Sequence, residues 1–272
     1  MSTEKAFLEN YNIESYDRPS VATDIVVFTM RSENTESFRK DPVSKLSVLL
    51  IERGEHPFKG MWALPGGFVK MDETVEEAAL REIVEETNVK PTTLIYTGVF
   101  SEIDRDPRGR IISNAFTCIF SKEPKAIAGT DAQNTKWFDI SLREPQKGKY
   151  ILELTNDETK LSIKINEKKS SLGINQYEVE DNDVLAFDHA QIILTSLKAL
   201  KSRATNFELI FDFLPFEFTL ASLQKIYETI TGISTVPANF RRKVCEYVEE
   251  TGNCTQGAGH RPAMLYRKKV GV

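Results

Sequence analysis

The strongest constraint on the fold comes from residues 74–87, an amphipathic helical pattern that lies between apolar strand patterns. Thr74 is a suitable N-cap, and Glu77, three residues later, would complete a capping box. Apolar residues recur at roughly helical spacing, at Val75, Ala78, Ala79, Ile83 and Val84. One face of this helix is therefore expected to pack against another layer of structure.

Strand patterns surround this helix in the sequence. Residues 23–32 and 45–53 are short apolar runs rich in β-branched side chains, which is typical of buried strands. Three further strand patterns follow the helix, at residues 93–100, 110–120 and 135–140. Strands on both sides of a helix predict an α/β layered domain.

The middle of the chain, residues 143–183, changes in character. Apolar and polar residues alternate on both sides of Asn156 and Asp157, which predicts a β-hairpin. Residues 167–183 are polar and are predicted to form a loop, and residues 183–204 predict a long amphipathic helix. We therefore place a first domain at residues 1–202, with a hairpin insertion at about 143–183.

The remaining residues, 203–272, predict a second, small α+β domain. An amphipathic run is capped by Thr219 and stops at Gly232. A second short helix is predicted over residues 237–252, and a glycine-rich turn then leads into a strand within residues 253–269. Helix, turn, helix and hairpin is the order of a winged helix-turn-helix domain.

Six glutamates and one arginine lie on the predicted helix or just before it. Glu82, Glu85 and Glu86 stand at i, i+3 and i+4, so their carboxylates share one helical face. Like charges at this spacing repel, and a metal ion, an ion-pair network or solvent must offset the repulsion. Oxygen ligands in this arrangement suit Mg²⁺, while Arg81 and Glu73 could form an ion pair that braces the preceding loop.

The same stretch resembles the Nudix box, G-x5-E-x7-R-E-U-x-E-E-x-G-U, in which U is aliphatic. The matching residues are Gly67, Glu73, Arg81, Glu82, Ile83, Glu85, Glu86 and Val89. Asn88 stands where the family has glycine. This position follows the helix, where a left-handed conformation is usual and asparagine is the next-best residue, so we expect the fold to survive.

The resemblance implies a Nudix α/β/α sandwich that cleaves a nucleoside diphosphate linked to another group. Metal-bound carboxylates would polarise the pyrophosphate and help to activate water. The implied ligands of Mg²⁺, or alternatively Mn²⁺, are Glu82, Glu85, Glu86 and Gly66. The implied catalytic residues are the same glutamates with Arg81 and Glu73. The general base stays open between Glu86 and Glu102.

Further stretches extend this resemblance over nearly the whole chain. Residues 53–69, 104–113 and 185–193 are similar to the Nudix subgroup that handles ADP-ribose. Residues 218–267 resemble the winged-helix module of the Nudix-related transcriptional regulators. Those proteins join an ADP-ribose-sensing Nudix domain to a DNA-binding domain and control genes of NAD metabolism or sugar utilisation. Residues 143–183 are the least recognisable, and no function is assigned to them.

Several residues outside the box are candidates for ligand contact. Trp62 and Phe68 could stack on a base, although aromatic side chains near a helix are more often part of a core. Arg108 and Arg110 could clamp a phosphate or a terminal ribose, and a solvated loop with internal ion pairs is the alternative. We expect His189 to be a structural hydrogen-bonding residue.

The case for DNA binding depends on basic residues near the C-terminus. Arg or Lys on a recognition helix can meet phosphates or guanine edges, although solvated surface is the alternative for each one. The predicted DNA-binding set is Asn239, Arg241, Arg242, Lys243, His260 and Arg261. Residues 239–272 carry seven Lys or Arg and three Asp or Glu, a net charge of +4, which leaves −9 on the rest of the chain. A basic end on an acidic body favours a polyanionic partner.

Other features indicate the compartment and the assembly. No run of about 18 apolar residues occurs, so no membrane partner is expected, and the N-terminus lacks the pattern of a signal peptide. Three cysteines, Cys118, Cys245 and Cys254, fit no disulfide framework. We therefore expect a cytoplasmic protein. Winged helices usually act in pairs on two-fold sites, so we expect a homodimer.

Two functions follow from these observations. The first is a regulator whose Nudix domain binds ADP-ribose or a relative and thereby changes operator binding by the winged helix. The alternative is a Mg²⁺-dependent ADP-ribose pyrophosphatase that releases AMP and ribose 5-phosphate. A silent scaffold is a third and weaker interpretation, because the acidic and the basic residues are both retained.

Overall fold

The computed structural model describes residues 3–32, 44–91, 93–124, 132–169, 175–180, 183–255 and 262–271. Its α-helices are α1 (Glu4–Asn10), α2 (Val75–Thr87), α3 (His189–Thr205), α4 (Leu220–Thr231) and α5 (Pro237–Val244). Its first strands are β1 (Ser20–Ser32), β2 (Ser44–Arg53), β3 (Trp62–Ala63), β4 (Gly66–Phe68), β5 (Thr93–Phe100) and β6 (Ile111–Phe120). The later strands are β7 (Ala132–Gln146), β8 (Lys149–Thr155), β9 (Lys160–Lys169), β10 (Asn175–Glu180), β11 (Val248–Cys254) and β12 (Met264–Lys268).

One mixed sheet forms the body of the molecule, with strand order β10-β9-β8-β7-β2-β1-β6-β5. The pair β1 and β6 is parallel, and the other neighbours along this order are antiparallel. Short strands β3 and β4 pair with β2 and β1, respectively. These two pairings fold the loop after β2 back over the sheet, beside the start of α2.

The alternation of side chains along β1 shows why the sheet is covered on both faces. Ile25 and Val27 are fully buried in a cluster with Ala79 and Ile83 of α2. The alternate residues, including Val26, are buried in a second cluster that contains side chains of α3. Successive side chains of a strand point to opposite faces, so an apolar run such as β1 requires a helix on each side. The predicted α/β/α sandwich is confirmed.

The start and end of α2 follow the predicted chemistry. The Thr74 hydroxyl accepts from the Glu77 N–H at 3.2 Å, and the Glu77 carboxylate accepts from the Thr74 N–H at 2.8 Å. Asn88 ends the helix in the left-handed conformation, with φ 52° and ψ 23°, and its N–H donates to the Val84 carbonyl at 2.7 Å. The helix therefore begins and ends as expected, although asparagine stands in place of glycine.

Residues 143–183 are not a separate excursion but extend the central sheet. The hairpin at residues 156–157 is confirmed as the turn between β8 and β9. The prediction of a loop was wrong at residues 167–169 and 175–180, because β9 continues to Lys169 and β10 pairs with it antiparallel. Residues 170–174 and 181–182 lie outside the described residues. Polar residues obscured β10, yet Tyr177 of this strand accepts a hydrogen bond from Lys198 of α3 at 2.8 Å. This tertiary contact ties an otherwise polar strand to the core.

Two predicted helices proved too long. The helix expected from residue 183 begins at His189, because the preceding Ala186 N–H donates to the carbonyl of Trp62 on β3 at 2.8 Å. The helix expected over residues 237–252 ends at Val244, and the chain then forms β11, in which Val248 pairs with Lys268 of β12. In both places, pairing with another strand outweighed a local helical preference.

The C-terminal elements form the expected winged helix. Thr219 caps α4 by accepting from the Ser222 N–H at 3.1 Å, and Gly232 ends the helix with φ 72°. Helices α4 and α5 are followed by the hairpin of β11 and β12. The predicted domain boundary at residues 202–203 falls in the last turn of α3 and stays a prediction.

The two parts of the molecule share one core. A single buried cluster contains side chains of β2, of α3, of α4 and of α5, among them Leu50, Leu197, Tyr227 and Phe240. Across the described ranges, every helix is too short or too polar to span a bilayer.

The left-handed residue that ends α2 gives a direct test. An alanine in this conformation is less stable by about 1–2 kcal/mol, whereas glycine adopts it without strain. We expect Asn88→Ala to lower the free energy of unfolding by about 1 kcal/mol, and Asn88→Gly to leave it unchanged or raise it. Urea unfolding of both variants measures the difference, and equal losses in the two would contradict the assigned conformation.

Candidate functional site

A cleft of about 510 Å³ opens where β1, β4, α2, the loop of residues 101–110 and the start of α3 meet. This volume lies within the range of small-molecule sites. The residues that line it include Asp24, Arg53, Glu55, His56, Gly66, Gly67, Phe68, Arg81, Glu82, Glu85, Glu86, Arg105, Arg108, Phe187 and His189. All of the predicted catalytic residues except Glu73 line this cleft.

Arg81 is the centre of the acidic cluster. Its guanidinium donates two hydrogen bonds to the Glu73 carboxylate, at 3.0 and 2.7 Å. It also donates to Glu82 at 2.6 Å and lies 3.5 Å from an oxygen of Glu85. The predicted brace between Arg81 and Glu73 is confirmed. In this structure, an ion-pair network offsets the repulsion among the glutamates.

Gly67 is required by the position of Glu82. A Cβ atom on Gly67 would lie 2.2 Å from the Glu82 Oε1 atom, so any larger residue would displace this carboxylate. Burial raises the pKa of Glu82, and the contact with Arg81 opposes that rise. At Gly67, the absence of a side chain allows the Glu82 carboxylate to lie close to the backbone.

The other acids of the box differ in their exposure. Glu86 is buried and accepts a hydrogen bond from the Thr135 hydroxyl at 3.3 Å. The Glu85 side chain is half exposed. Glu102, the second candidate for general base, lies in the exposed loop before β6 and is not among the described residues that line the cleft. Glu86 is the better placed of the two candidates.

The donor chemistry of the cleft suits Mg²⁺, because Glu82, Glu85 and Glu86 bring carboxylate oxygens to one opening. The described residues nevertheless contain no group of three His, Cys, Asp or Glu side chains at metal-ligand spacing. Glu82 and Glu85 instead both lie against the Arg81 guanidinium, at 2.6 and 3.5 Å. The metal site, including the contribution of Gly66, stays a prediction.

Phe68 and Arg108 come together at the rim of the cleft. The Arg108 guanidinium carbon lies 5.0 Å from the centroid of the Phe68 ring and 5.6 Å from that of Phe187. Its guanidinium also donates to the Asp106 carboxylate at 3.0 and 2.7 Å. The result is a cation–π stack with an aromatic face and a positive charge, both suited to a nucleotide.

Two other predicted ligand residues are placed elsewhere. Arg110 donates to the carbonyls of Ser101 and Glu102, at 2.9 and 3.2 Å, and so braces its own loop. Trp62 packs edge-on against Phe138 with 4.8 Å between ring centroids, as part of the core. Neither is among the described residues that line the cleft, so the structure gives no support to a contact between them and a ligand.

A buried ion-pair network lies beneath the cleft and was not predicted. Arg105 donates to both carboxylate oxygens of Asp188, at 2.9 and 2.6 Å, and to Asp24 at 3.0 Å. Asp24 also accepts from Ser113 at 2.6 Å and lies 3.2 Å from the His189 ring. The one available signal was an aspartate inside the apolar run of β1.

The charge of Asp24 is stabilised by its neighbours. Burial alone would raise its pKa, but the contacts with His189, Arg105 and Ser113 outweigh burial and hold the pKa well below its ordinary value. His189 Nδ1 accepts from the Leu64 N–H at 2.8 Å. The structural role expected for His189 is confirmed.

Four of the six predicted DNA-binding residues, Asn239, Arg241, Arg242 and Lys243, lie on α5. Arg241, Arg242 and Lys243 are exposed, while Phe240 and Val244 are buried. Arg242 donates to Asn239 one turn earlier, and Arg241 donates to the Tyr266 hydroxyl of β12 at 3.4 Å. His260 and Arg261 lie outside the described residues. Helix α5 thus presents three basic side chains on the surface away from its buried side.

Comparison with known proteins decides the family. A model of the NUDIX domain matches residues 25–151. An ADP-ribose pyrophosphatase of Methanocaldococcus jannaschii is 42% identical over 138 residues, which cover 50% of this chain and 70% of that protein. The chain belongs to the Nudix family. A model of the NrtR DNA-binding winged helix domain matches residues 210–268 of this Nudix protein.

Full-length relatives share both domains of this Nudix protein. The ADPR responsive transcriptional repressor NtrR of Acinetobacter baylyi is 27% identical over 270 residues, 98% of this chain and 88% of that protein. A MutT/nudix family protein from Enterococcus faecalis superposes with a TM-score of 0.74 at 28% identity, over 98% of this chain and 94% of that one. Shewanella oneidensis NrtR complexed with a 27mer DNA superposes with a TM-score of 0.59 at 25% identity, over 92% and 93% of the chains.

The ion pair between Arg81 and Glu73 predicts a specific response to acid. Hydrogen bonds from Arg81 lower the pKa of Glu73 from 4.5 to about 2. Because the pKa is lower in the folded state, this carboxylate stabilises the fold above its unfolded pKa, and the stabilisation is lost as pH falls toward about 2. In Glu73→Gln, we expect a smaller loss of stability across this interval.

Thermal unfolding between pH 5 and pH 2 measures the effect. The matched control is Glu76→Gln, which alters an exposed glutamate three residues away. If both variants keep the acid response of the wild type, the ion pair does not contribute to it.

Proposed function

We propose that this protein is a transcriptional regulator that binds operator DNA through its winged helix and responds to ADP-ribose or a related nucleotide. The observation that carries the proposal is the pairing of the two domains over nearly the whole chain. A relative named as an ADPR responsive transcriptional repressor aligns over 98% of this chain. A second relative, at 25% identity and a TM-score of 0.59, was crystallised with DNA.

The surface of α5 supports contact with DNA. Its three basic side chains are exposed next to one another, on a helix whose opposite side is anchored by Phe240 and Val244. A recognition helix needs this division between an anchored side and a charged side. The net charge of +4 on residues 239–272 supplies the electrostatic attraction to phosphates.

The cleft supports recognition of a nucleotide diphosphate. Phe68 and Phe187 bring aromatic rings to the cleft, and the Arg108 guanidinium, which stacks on both rings and pairs with Asp106, brings a cation beside them. When bound, Mg²⁺ would supply charge for the pyrophosphate, and Glu82, Glu85, Glu86 and Gly66 would hold it. Release of Glu82 and Glu85 from Arg81 would free their oxygens for this role.

The proposed regulatory role includes the regulated genes, the oligomeric state and the compartment. The regulated genes are those of NAD or sugar metabolism, and the working form is a homodimer on a two-fold operator. A regulator must reach the chromosome, so its place is the cytoplasm.

Hydrolysis of ADP-ribose is the second candidate function. The relative that is 42% identical is named an ADP-ribose pyrophosphatase, and every acid of the box is present in this chain. In that case Glu86 serves as the general base, and the winged helix contributes only to dimer assembly.

One titration separates the two functions. Purified protein is mixed with ADP-ribose and Mg²⁺ while AMP release and binding to the promoter DNA beside its own gene are followed. DNA binding that ADP-ribose changes, with little AMP, supports the regulator. Rapid AMP release without DNA binding at physiological salt supports the hydrolase and overturns the proposal.

The exposed arginines of α5 give a prediction about DNA affinity. Each phosphate contact contributes about 0.9 to the slope of log affinity against log salt. Arg241→Ala with Arg242→Ala should therefore weaken binding and flatten this slope by about 2. Fluorescence anisotropy at several salt concentrations measures both quantities.

A charge-matched control is available on the distant sheet extension. Lys149→Ala with Lys164→Ala removes two exposed positive charges from β8 and β9. We expect the slope of this control to stay near that of the wild type. If both double variants flatten the slope equally, net charge rather than α5 governs binding.

The acids of the box give a prediction about hydrolysis. Any turnover of ADP-ribose should disappear in Glu85→Gln with Glu86→Gln, because the amides keep the shape of the side chains but lose the charge that holds a cation. Circular dichroism confirms the fold, and AMP release is the measured quantity. Unchanged turnover would exclude these residues from the metal site.

A further inference from the structure

The residue that precedes α3 uses its side chain in an unusual way. Asp188 occupies the N-cap position, where an aspartate ordinarily accepts a hydrogen bond from the first turn of its own helix. Its side chain makes no such bond. Both of its carboxylate oxygens instead accept from Arg105, at 2.9 and 2.6 Å. The start of α3 is thus fastened to the loop of residues 101–110 rather than capped locally.

This fastening lies directly beside the ligand cleft. Arg105 and Phe187 line the cleft, whereas Asp188 is buried behind them. A second contact joins the same two segments, since the Arg108 guanidinium lies 5.6 Å from the centroid of the Phe187 ring. Phe187 itself has φ 53°, a conformation that a phenylalanine adopts only when its surroundings hold it there. A ligand in the cleft would therefore contact the residues that hold the start of α3 in place.

The other end of α3 reaches the DNA-binding domain. The helix has 17 residues and spans about 25 Å. Phe207 follows it, and its ring stacks on Tyr227 of α4 with 5.3 Å between centroids and lies 5.9 Å from Phe240 of α5. Phe240 is the buried anchor of α5, between the exposed Asn239 and Arg241. A shift of α3 would therefore displace Phe207 and, through its contacts with Tyr227 and Phe240, would also displace the recognition helix α5.

We propose that α3 couples the nucleotide cleft to α5. The Arg105–Asp188 ion pair connects α3 to the cleft, and Phe207 connects it to the DNA-binding domain. The proposal rests on the proposed regulatory function and names the physical route of that regulation. Side chains of α3 and α4 belong to one buried cluster, so α3 is packed against the winged helix and is not merely a flexible connection to it. Asp188 and Phe207 are positioning residues, because neither lines the cleft nor lies on the exposed side of α5.

The test measures coupling rather than binding alone. The DNA probe is a duplex that the wild-type protein selects from a random library, and the ligand probe is ADP-ribose. The ratio of DNA affinities with and without ADP-ribose is expected to lie between about 5 and 150 in the wild type. By thermodynamic reciprocity, DNA must change the affinity for ADP-ribose by the same ratio, which provides an independent check.

Asp188→Asn is the main variant. It removes the charge but keeps the shape, and Arg105 retains Asp24 as a partner at 3.0 Å. We expect the coupling ratio to fall toward 1. The affinity for DNA alone should stay within about twofold of the wild type, because Asp188 lies at the end of α3 away from α5. The ratio is measured at saturating ADP-ribose, because the Arg105–Asp188 pair also positions the rim of the cleft and its loss weakens the affinity for the ligand. Phe207→Leu, at the other end of α3, should lower the ratio in the same way.

Ser113→Ala is the matched control. It removes a 2.6 Å hydrogen bond to Asp24 from the same buried network, but it leaves the bonds between Arg105 and Asp188 in place. We expect it to keep the wild-type ratio. The thermal midpoint of each variant shows whether it folds, and if Asp188→Asn does not fold, Phe207→Leu decides the outcome.

The outcomes distinguish this proposal from the proposed function. A wild-type ratio of 1, or the absence of any selected DNA, overturns the regulatory function and the coupling route with it. A wild-type ratio above 5 that is unchanged in Asp188→Asn or in Phe207→Leu overturns the route alone. Equal loss in Ser113→Ala also overturns it, because the effect would then come from general damage to the buried network.

Discussion

The buried guanidinium of Arg105 holds together the parts of the structure on which the cleft depends. It bridges Asp24 of β1 and Asp188 at the start of α3, so one side chain joins the sheet, a loop and a helix. Charges out of water are costly unless every partner is in place, and loss of one partner from a buried pair typically costs about 3–5 kcal/mol. This interaction therefore fixes the geometry of the loop that carries Arg108, and with it the rim of the cleft.

A second ion-pair network performs a different task at the surface of the same cleft. Arg81 gathers Glu73, Glu82 and Glu85, so its single positive charge offsets part of their negative charge within the protein. The residues predicted to hold a metal are thus present, and an arginine holds two of them, Glu82 and Glu85. This network would serve the two candidate functions differently. A regulator binds its ligand with little hydrolysis, whereas an enzyme recruits a cation during turnover. The acids alone do not distinguish them, whereas the basic surface of α5 favours the regulator.

The shared core explains how two domains can act as one unit. Helix α3 packs on the sheet along one side and reaches α4 in the same buried cluster. Interiors are packed as densely as organic crystals, so displacement of such a helix is transmitted to its neighbours and not absorbed. The extension of the sheet by β8, β9 and β10 adds a further support, because Lys198 of α3 donates to Tyr150 and Tyr177 there.

The features that depend on local spacing could be predicted from the amino-acid sequence. These are the capped helix α2 with its acidic face, the buried strands β1 and β2, the left-handed end at Asn88 and the order of the winged helix. The tertiary structure was needed to show that β10 is a strand, that α3 begins at His189 and that α5 ends at Val244. Contact with α3 holds the polar strand β10, and strand pairing outweighed the helical preference in the other two places. The tertiary structure also placed Trp62 in the core and brought Asp24, Arg105 and Asp188 together. The reason is that a buried charge has no periodic pattern in the sequence, and its partners come from segments that meet only when the sheet and its helices have packed.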